Sequence, residues 1–301
     1  MFQPPGFNQF SLTTAAGLIT YYAPEPLGNE ASNEGDNRNP TLVFLHGFGG
    51  GSSAYEWSQI YPTFADEYRL LVPDLIGWGR SEHLAREYRV EDYLTAIAEF
   101  LEKTCDRPAT VVASSLTAGI VVRLAIARPE LFKALILATP AGLSDFGEDY
   151  SRSFFAQMVS TPVLDRVLYQ TAIATEWGIR GFLEKRQFAN PARIYPELID
   201  AYLKSAQQPN AEYSALSFVR GDLCFDLSLY MSQLATPTAI FWGEKAQYTK
   251  SDIGRRLAEM NSQAVKVFEV VPDAGLTPHL ELPAVTIRLI RRFLKILDAA
   301  S

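Results

Sequence analysis

Thr110-Val-Val-Ala-Ser-Ser-Leu-Thr-Ala-Gly-Ile120 decides how the rest of this chain is read. An apolar run ending at Val112 meets small residues and then a helix-forming segment, Ile120 to Ala127, so Ser114 and Ser115 fall at a sharp strand-to-helix turn. In a nucleophile elbow the serine sits in a strained turn that lifts its hydroxyl above a sheet, and the residues two before and two after it must be small. Ala113 and Thr117 satisfy that requirement around Ser115, as a loosened Gly-x-Ser-x-Gly. The same Ser-Ser pair also suits a plain helix N-cap, so this stretch alone leaves both readings open.

Working outward, Thr41 to Leu45 is a short apolar β-rich run that ends in His46-Gly47-Phe48-Gly49-Gly50-Gly51. A glycine-rich turn directly after a buried strand can aim backbone N–H groups at an anion, as phosphate loops and oxyanion holes both do. No phosphate-loop lysine follows and no Gly-x-Gly-x-x-Gly opens a helix, which favours the oxyanion reading over a nucleotide; a tight turn without a ligand is the alternative. A helix is expected around Tyr55 to Phe64, a strand over Tyr68 to Asp74, a helix over Val90 to Lys103, and a strand over Leu135 to Ala138. Phe10 to Tyr22 reads as an antiparallel hairpin at a sheet edge. The alternation predicts an α/β fold with a mostly parallel sheet covered by helices on both faces.

From Leu143 to about Ser232 the pattern turns wholly helical, with Phe154, Phe155, Met158, Val163, Val167, Leu168, Trp177, Ile179 and Leu183 at helical spacing. Such a stripe is a packing surface or the inner face of a lid. Strand material resumes at Pro237 to Gly243 and Val265 to Val271, with helices over Asp252 to Met260 and Pro283 to Leu297. Residues 1–142 and 233–301 are therefore expected to form one core and residues 143–232 an inserted helical cap.

Composition narrows the function. In 301 residues, 48% hydrophobic, 34 acidic and 27 basic side chains leave a net charge of -7 with no basic run, so nucleic acid is not expected as a partner. Two distant cysteines, Cys105 and Cys224, suit a reducing compartment rather than a disulfide framework. No apolar segment reaches the roughly 18 residues of a membrane span, and a cytoplasmic location is expected. Nothing in the residues calls for a metal or another cofactor.

Taken together and in order, His46-Gly-Phe-Gly-Gly50, Asp74-Leu-Ile-Gly-Trp-Gly-Arg-Ser81, the Ser115 elbow, the helical insertion, Trp242-Gly-Glu-Lys245 and Pro278-His-Leu-Glu-Leu-Pro283 resemble the α/β-hydrolase superfamily from Phe10 to Leu297. The chain is similar to its capped branch, which holds epoxide hydrolases, small esterases, carbon–carbon hydrolases and chlorophyll-tail esterases, and within it to a cyanobacterial subgroup. The resemblance makes Ser115 the nucleophile and the backbone N–H groups of Phe48 and Leu116 the oxyanion hole. Gly47, Phe154, Met158 and Trp177 are expected to border the substrate.

The same resemblance exposes a departure. The acid that follows Trp-Gly-Glu-Lys is replaced by Ala246, and the histidine of the last loop by Leu276. A serine hydroxyl needs a base to take its proton and an acid to protonate the leaving group, and neither alanine nor leucine does either. Of the three histidines, His46 is expected to support the oxyanion turn, His83 to be solvated, and His279 to be the one near the catalytic loop, three residues displaced. Asp145, Asp273 and Glu244 are the substitute acids. Two functions follow: a silent or very weak hydrolase that holds an apolar ligand or a protein partner under the cap, or an active esterase on apolar-tailed acyl esters that uses Ser115 with His279 as an unusual base.

Overall fold

The computed structural model describes residues 3–24, 39–147, 164–247 and 249–299. Among the described residues eight strands form one sheet: β1 (Phe7–Thr14), β2 (Gly17–Pro24), β3 (Thr41–Leu45), β4 (Arg69–Pro73), β5 (Ala109–Ser114), β6 (Phe132–Ala138), β7 (Thr238–Gly243) and β8 (Val265–Val271). Their spatial order is β1-β2-β4-β3-β5-β6-β7-β8. The β1–β2 hairpin and its junction with β4 are antiparallel, and every other neighbour is parallel. β5 lies centrally, so its C-terminal end opens where loops from both sides converge.

Parallel strands buried on both faces need no polar alternation, and all six residues of β5 and of β7 are buried. Their alternate side chains feed two cores. Val43, Val111, Leu135 and Ile240 pack on one face with α1 (Val90–Thr104) and α2 (Ser115–Ala127); Phe44, Val112, Ile136 and Phe241 pack on the other with Trp57, Phe64 and the long C-terminal helix, Pro283–Asp298. That last helix buries Leu289, Ile290, Phe293, Leu294 and Leu297, a spacing of three and four residues that keeps one apolar face on the sheet.

One expected helix differs. Tyr55 to Phe64 forms two short 3-10 turns, Ala54–Trp57 and Tyr61–Phe64. Pro62 has no N–H to donate back to the preceding turn, so the two turns do not merge.

Between β6 and β7 the described residues hold helices α3 (Leu164–Leu168), α4 (Glu176–Phe182), α5 (Pro196–Ala206), α6 (Ala211–Arg220) and α7 (Ser228–Met231). The two ends of this segment meet at a stapled neck. Leu143 bridges Phe225, Phe225 N–H donates to the Gly142 carbonyl at 2.9 Å, and Leu227 N–H donates to Asp145 Oδ1 at 2.8 Å. Helices α8 (Ser251–Glu259) and α9 (Pro278–Glu281) follow β7 and β8. No helix of the described residues is long and apolar enough to cross a membrane.

Candidate active site

β5 ends at Ser114 and α2 begins at Ser115, whose φ is 55°. A non-glycine residue in the left-handed region costs of order 1–3 kcal/mol and persists only where its surroundings enforce it. The enforcement is visible: Ala113 and Thr117 are fully buried, and Ser115 O accepts from Ala141 N–H at 3.3 Å. Leu116 N–H belongs to the first turn of α2, where amides lack intrahelical acceptors.

The loop after β3 lies directly against this turn. A Cβ on Gly47 would come within 3.1 Å of Ser114 Oγ and 3.3 Å of Ser115 Cβ, so a side chain here would crowd both serines. Phe48 is fixed by stacking on Trp78, with ring centroids 5.2 Å apart, and by Tyr93 at 4.7 Å. Among the described residues Ser115 opens into a pocket lined by Phe48, Ala141, Leu143, Phe182, Phe218, Thr249 and Leu276. Two hydroxyls, of Ser115 and Thr249, are the polar side-chain groups of an otherwise apolar wall.

Leu276 precedes α9 and shares the pocket with Ser115; its N–H donates to the Gln187 carbonyl at 2.8 Å, which pins this loop under the helical segment. Glu281, fully buried in its side chain, strengthens that joint by accepting from Gly275, Ala189 and Asn190 N–H groups and from Arg193. Ala246, three residues past β7, is buried with 6% exposure. Among the described residues no histidine or carboxylate is hydrogen-bonded to the Ser115 hydroxyl.

The histidines are placed as follows. His46 Nε2 accepts from Leu75 N–H at 2.9 Å, so its proton is on Nδ1, which donates to the Gly47 carbonyl at 2.7 Å. Both nitrogens are consumed in holding the turn. His83 is not solvated as expected but half-buried, with Nε2 3.2 Å from the Gly79 carbonyl, and burial lowers its pKa. His279 is not joined to Ser115. Pro278 starts α9 immediately, and the turn lays the His279 ring on Trp57, centroids 4.1 Å apart and planes 17° off parallel. Neither of its nitrogens has a hydrogen-bond partner among the described residues, and Nε2 stands 3.7 Å from Glu56 Oε2, ion-pair distance.

The substitute acids have other work. Asp145 accepts at the neck from Gly142 and Leu227 N–H groups, and burial, with the nearby Asp226 charge, pushes its carboxyl up to about 6 against those two donors. Asp273 pairs with Lys245 at 2.5 Å on the surface, and Glu244 accepts from the Asp273 N–H. Of the expected substrate-binding residues, Gly47 lies against Ser115 rather than in the lining, and Phe154 and Met158 fall outside the described residues. Trp177 points away: it is 76% exposed, because Thr175 Oγ1 caps α4 through Gly178 N–H at 3.0 Å in a phase that buries Ile179 and Leu183 instead.

Sequence reasoning missed Glu56. Its carboxylate is buried, accepts Gly47 N–H at 3.0 Å on Oε2 and the Tyr202 hydroxyl at 2.8 Å on Oε1. Burial alone would raise its pKa, but the His279 side chain and other neighbours overcome that and hold the carboxyl down at about 2. Phe182 and Phe218, the walls supplied by the helical segment, were also missed, since a helical stripe does not say which of its members face a pocket.

An eight-stranded, mostly parallel sheet with a serine elbow and a glycine-rich loop at the ends of its central strands defines an α/β-hydrolase architecture. The chain belongs to the Alpha/beta hydrolase family, whose family model matches residues 42–289. It is 26% identical over 294 residues to Lipase 1 of Psychrobacter immobilis, covering 96% of this chain and 84% of that protein. Against an uncharacterized protein of Mycobacterium tuberculosis it is 28% identical over 105 residues, which spans 30% of that relative's length. The meta-cleavage product hydrolase of Pseudomonas fluorescens IP01 superposes with a TM-score of 0.73 at 20% identity, over 95% of this chain and 97% of that one, a likeness of fold.

Proposed function

We propose that this chain is an α/β-hydrolase-fold protein that keeps the nucleophile elbow and oxyanion loop but has lost the base and the acid, and that it binds an apolar ligand under a helical cap with little or no hydrolysis. One observation carries the reading: Ser115 shares its pocket with Leu276, and no base is bonded to its hydroxyl among the described residues. On this reading Leu276 and Ala246 occupy the histidine and acid positions, residues 143–232 form the cap, and the amides of Phe48 and Leu116 face a ligand carbonyl. Without its base such a site retains only the roughly 10³ to 10⁴-fold advantage over water that binding and oxyanion donors supply.

A second reading has its own support. His279 and Glu56 make a buried imidazole–carboxylate pair next to Gly47, the residue that touches Ser115. A shift of α9 that freed His279 from Trp57 would give an esterase with a non-standard base, acting on acyl esters with apolar tails as the name of Lipase 1 suggests for that relative.

A fluorophosphonate probe separates the two, with the adduct located by mass spectrometry. The binding reading expects no rapid adduct at Ser115, together with new esterase turnover in Ala246→Asp/Leu276→His. Rapid labelling at Ser115 that disappears in His279→Ala would overturn it.

A further inference from the structure

The Glu56 carboxylate joins three parts of the chain that are remote in sequence. One oxygen accepts the Gly47 N–H of the glycine-rich loop, the other accepts the Tyr202 hydroxyl of α5, and His279 of α9 stands at 3.7 Å. All three side chains are buried. Around this point α5 is seated on the same loop by backbone contact: a Cβ on Gly51, whose φ is 98°, would lie 2.1 Å from the Tyr202 carbonyl oxygen. Ser205 Oγ, one turn further along α5, donates to the Ser52 carbonyl at 3.1 Å and accepts from Gly79 N–H at 3.0 Å.

We propose that Glu56 is a positioning residue that couples the seating of α5 to the conformation of the loop His46–Gly51, so that the loop holds its shape only while α5 is docked. Calling that loop the oxyanion loop and α5 part of a cap rests on the proposed function; the mechanical coupling does not. The Gly47 and Tyr202 arms are charge-assisted bonds between buried groups, where such bonds are short and strong and where an unsatisfied partner is costly. Losing the Tyr202 hydroxyl leaves Oε1 without that donor, and the carboxylate turns to compensate. The turn withdraws Oε2 from the Gly47 N–H, and the effect travels from α5 to a loop that Tyr202 does not bond itself.

Hydrogen exchange of the full chain, followed by mass spectrometry, tests this. Tyr202→Phe keeps the ring and removes one hydroxyl. It should speed exchange about 10-fold both in peptides over residues 199–206 and in peptides over residues 46–52, while β5 peptides stay at the wild-type rate. Glu56→Ala should speed both regions at least as much, and Glu56→Gln should return both toward wild type, because an amide oxygen can accept the Gly47 N–H while its NH₂ donates to the Tyr202 oxygen. If Glu56→Ala does not fold, Tyr202→Phe and Glu56→Gln carry the test. Exchange over 46–52 within twofold of wild type in Tyr202→Phe, with 199–206 accelerated, would show two independent anchors and overturn the coupling. None of these readouts depends on chemistry at Ser115, so they stand apart from the fluorophosphonate result.

Discussion

Ser115 and Leu276 line one apolar pocket, the serine on a strained turn and the leucine on a loop held down by Gln187. The joint at Leu276 is made by its backbone N–H, so its side chain can change without undoing it. Ala246 is likewise buried beside the end of β7. Installing Ala246→Asp with Leu276→His is therefore expected to keep the fold. It should raise hydrolysis of a p-nitrophenyl ester about 10²-fold or more, the usual contribution of a positioned general base. Each single change should give far less, because an imidazole without its carboxylate is not held in the working tautomer. Initial rates of the four proteins decide it; a double variant no better than Leu276→His alone would mean that Ala246 is not at the acid position.

The elbow predicts a stability signature. Left-handed backbone costs a non-glycine residue about 1–2 kcal/mol, and glycine adopts it freely while adding about 0.5–1 kcal/mol of unfolded-state entropy. Ser115→Gly should then be as stable as Ser115→Ala or up to about 1.5 kcal/mol more stable in urea titration. A glycine variant clearly less stable than the alanine variant would show that φ of 55° stores no strain.

How much of this was legible in the chain follows from the range of the interactions. The elbow, the glycine-rich loop and the parallel sheet are local: Ala113, Ser115 and Thr117 sit within five residues, and buried parallel strands announce themselves as unbroken apolar runs. Glu56 was not legible, because its partners come from positions 47, 202 and 279, and a lone glutamate near a turn reads as solvent-exposed. Trp177 was misjudged for a related reason. The stripe gave the right period, but the Thr175 cap sets the phase and turns the indole outward. Tyr55 to Phe64 carried helix-like spacing that Pro62 cancels through the donor it lacks.

Asp145 offers a pH test at the neck. Its folded pKa, about 6, is raised above the ordinary 3.8. A raised group contributes stability that is complete below pH 3.8 and is lost as pH rises through 6. With about 1.4 kcal/mol per unit, the loss approaches 3 kcal/mol at most. Asp145→Asn keeps an oxygen for the Gly142 and Leu227 N–H groups and carries no charge. It should flatten the profile between pH 4 and 7 and equal or exceed wild type at pH 7.5. Asp145→Ala strands both donors and should cost about 1–3 kcal/mol. Thermal melts across pH 4 to 8 decide it: an Asp145→Asn profile as steep as wild type would assign the slope to other groups.

Glu56 has the opposite sign. Its folded pKa lies near 2, below the ordinary 4.5, so its contribution is complete above pH 4.5 and is lost as pH falls through 2. Protonation removes the charge that strengthens both the Gly47 N–H and the Tyr202 hydroxyl bonds, and a proton on Oε2 also displaces the Gly47 N–H. Acid should therefore loosen the loop at 46–52 before the sheet unfolds. In Glu56→Gln, which has no proton to gain, the acid-induced step in exchange over 46–52 should vanish while that of the surface pair Lys245–Asp273 remains. Exchange at pH 3 and pH 6, compared in wild type and Glu56→Gln after correction for the intrinsic rate, measures it. Equal loosening in both proteins would place the acid sensitivity elsewhere than at Glu56.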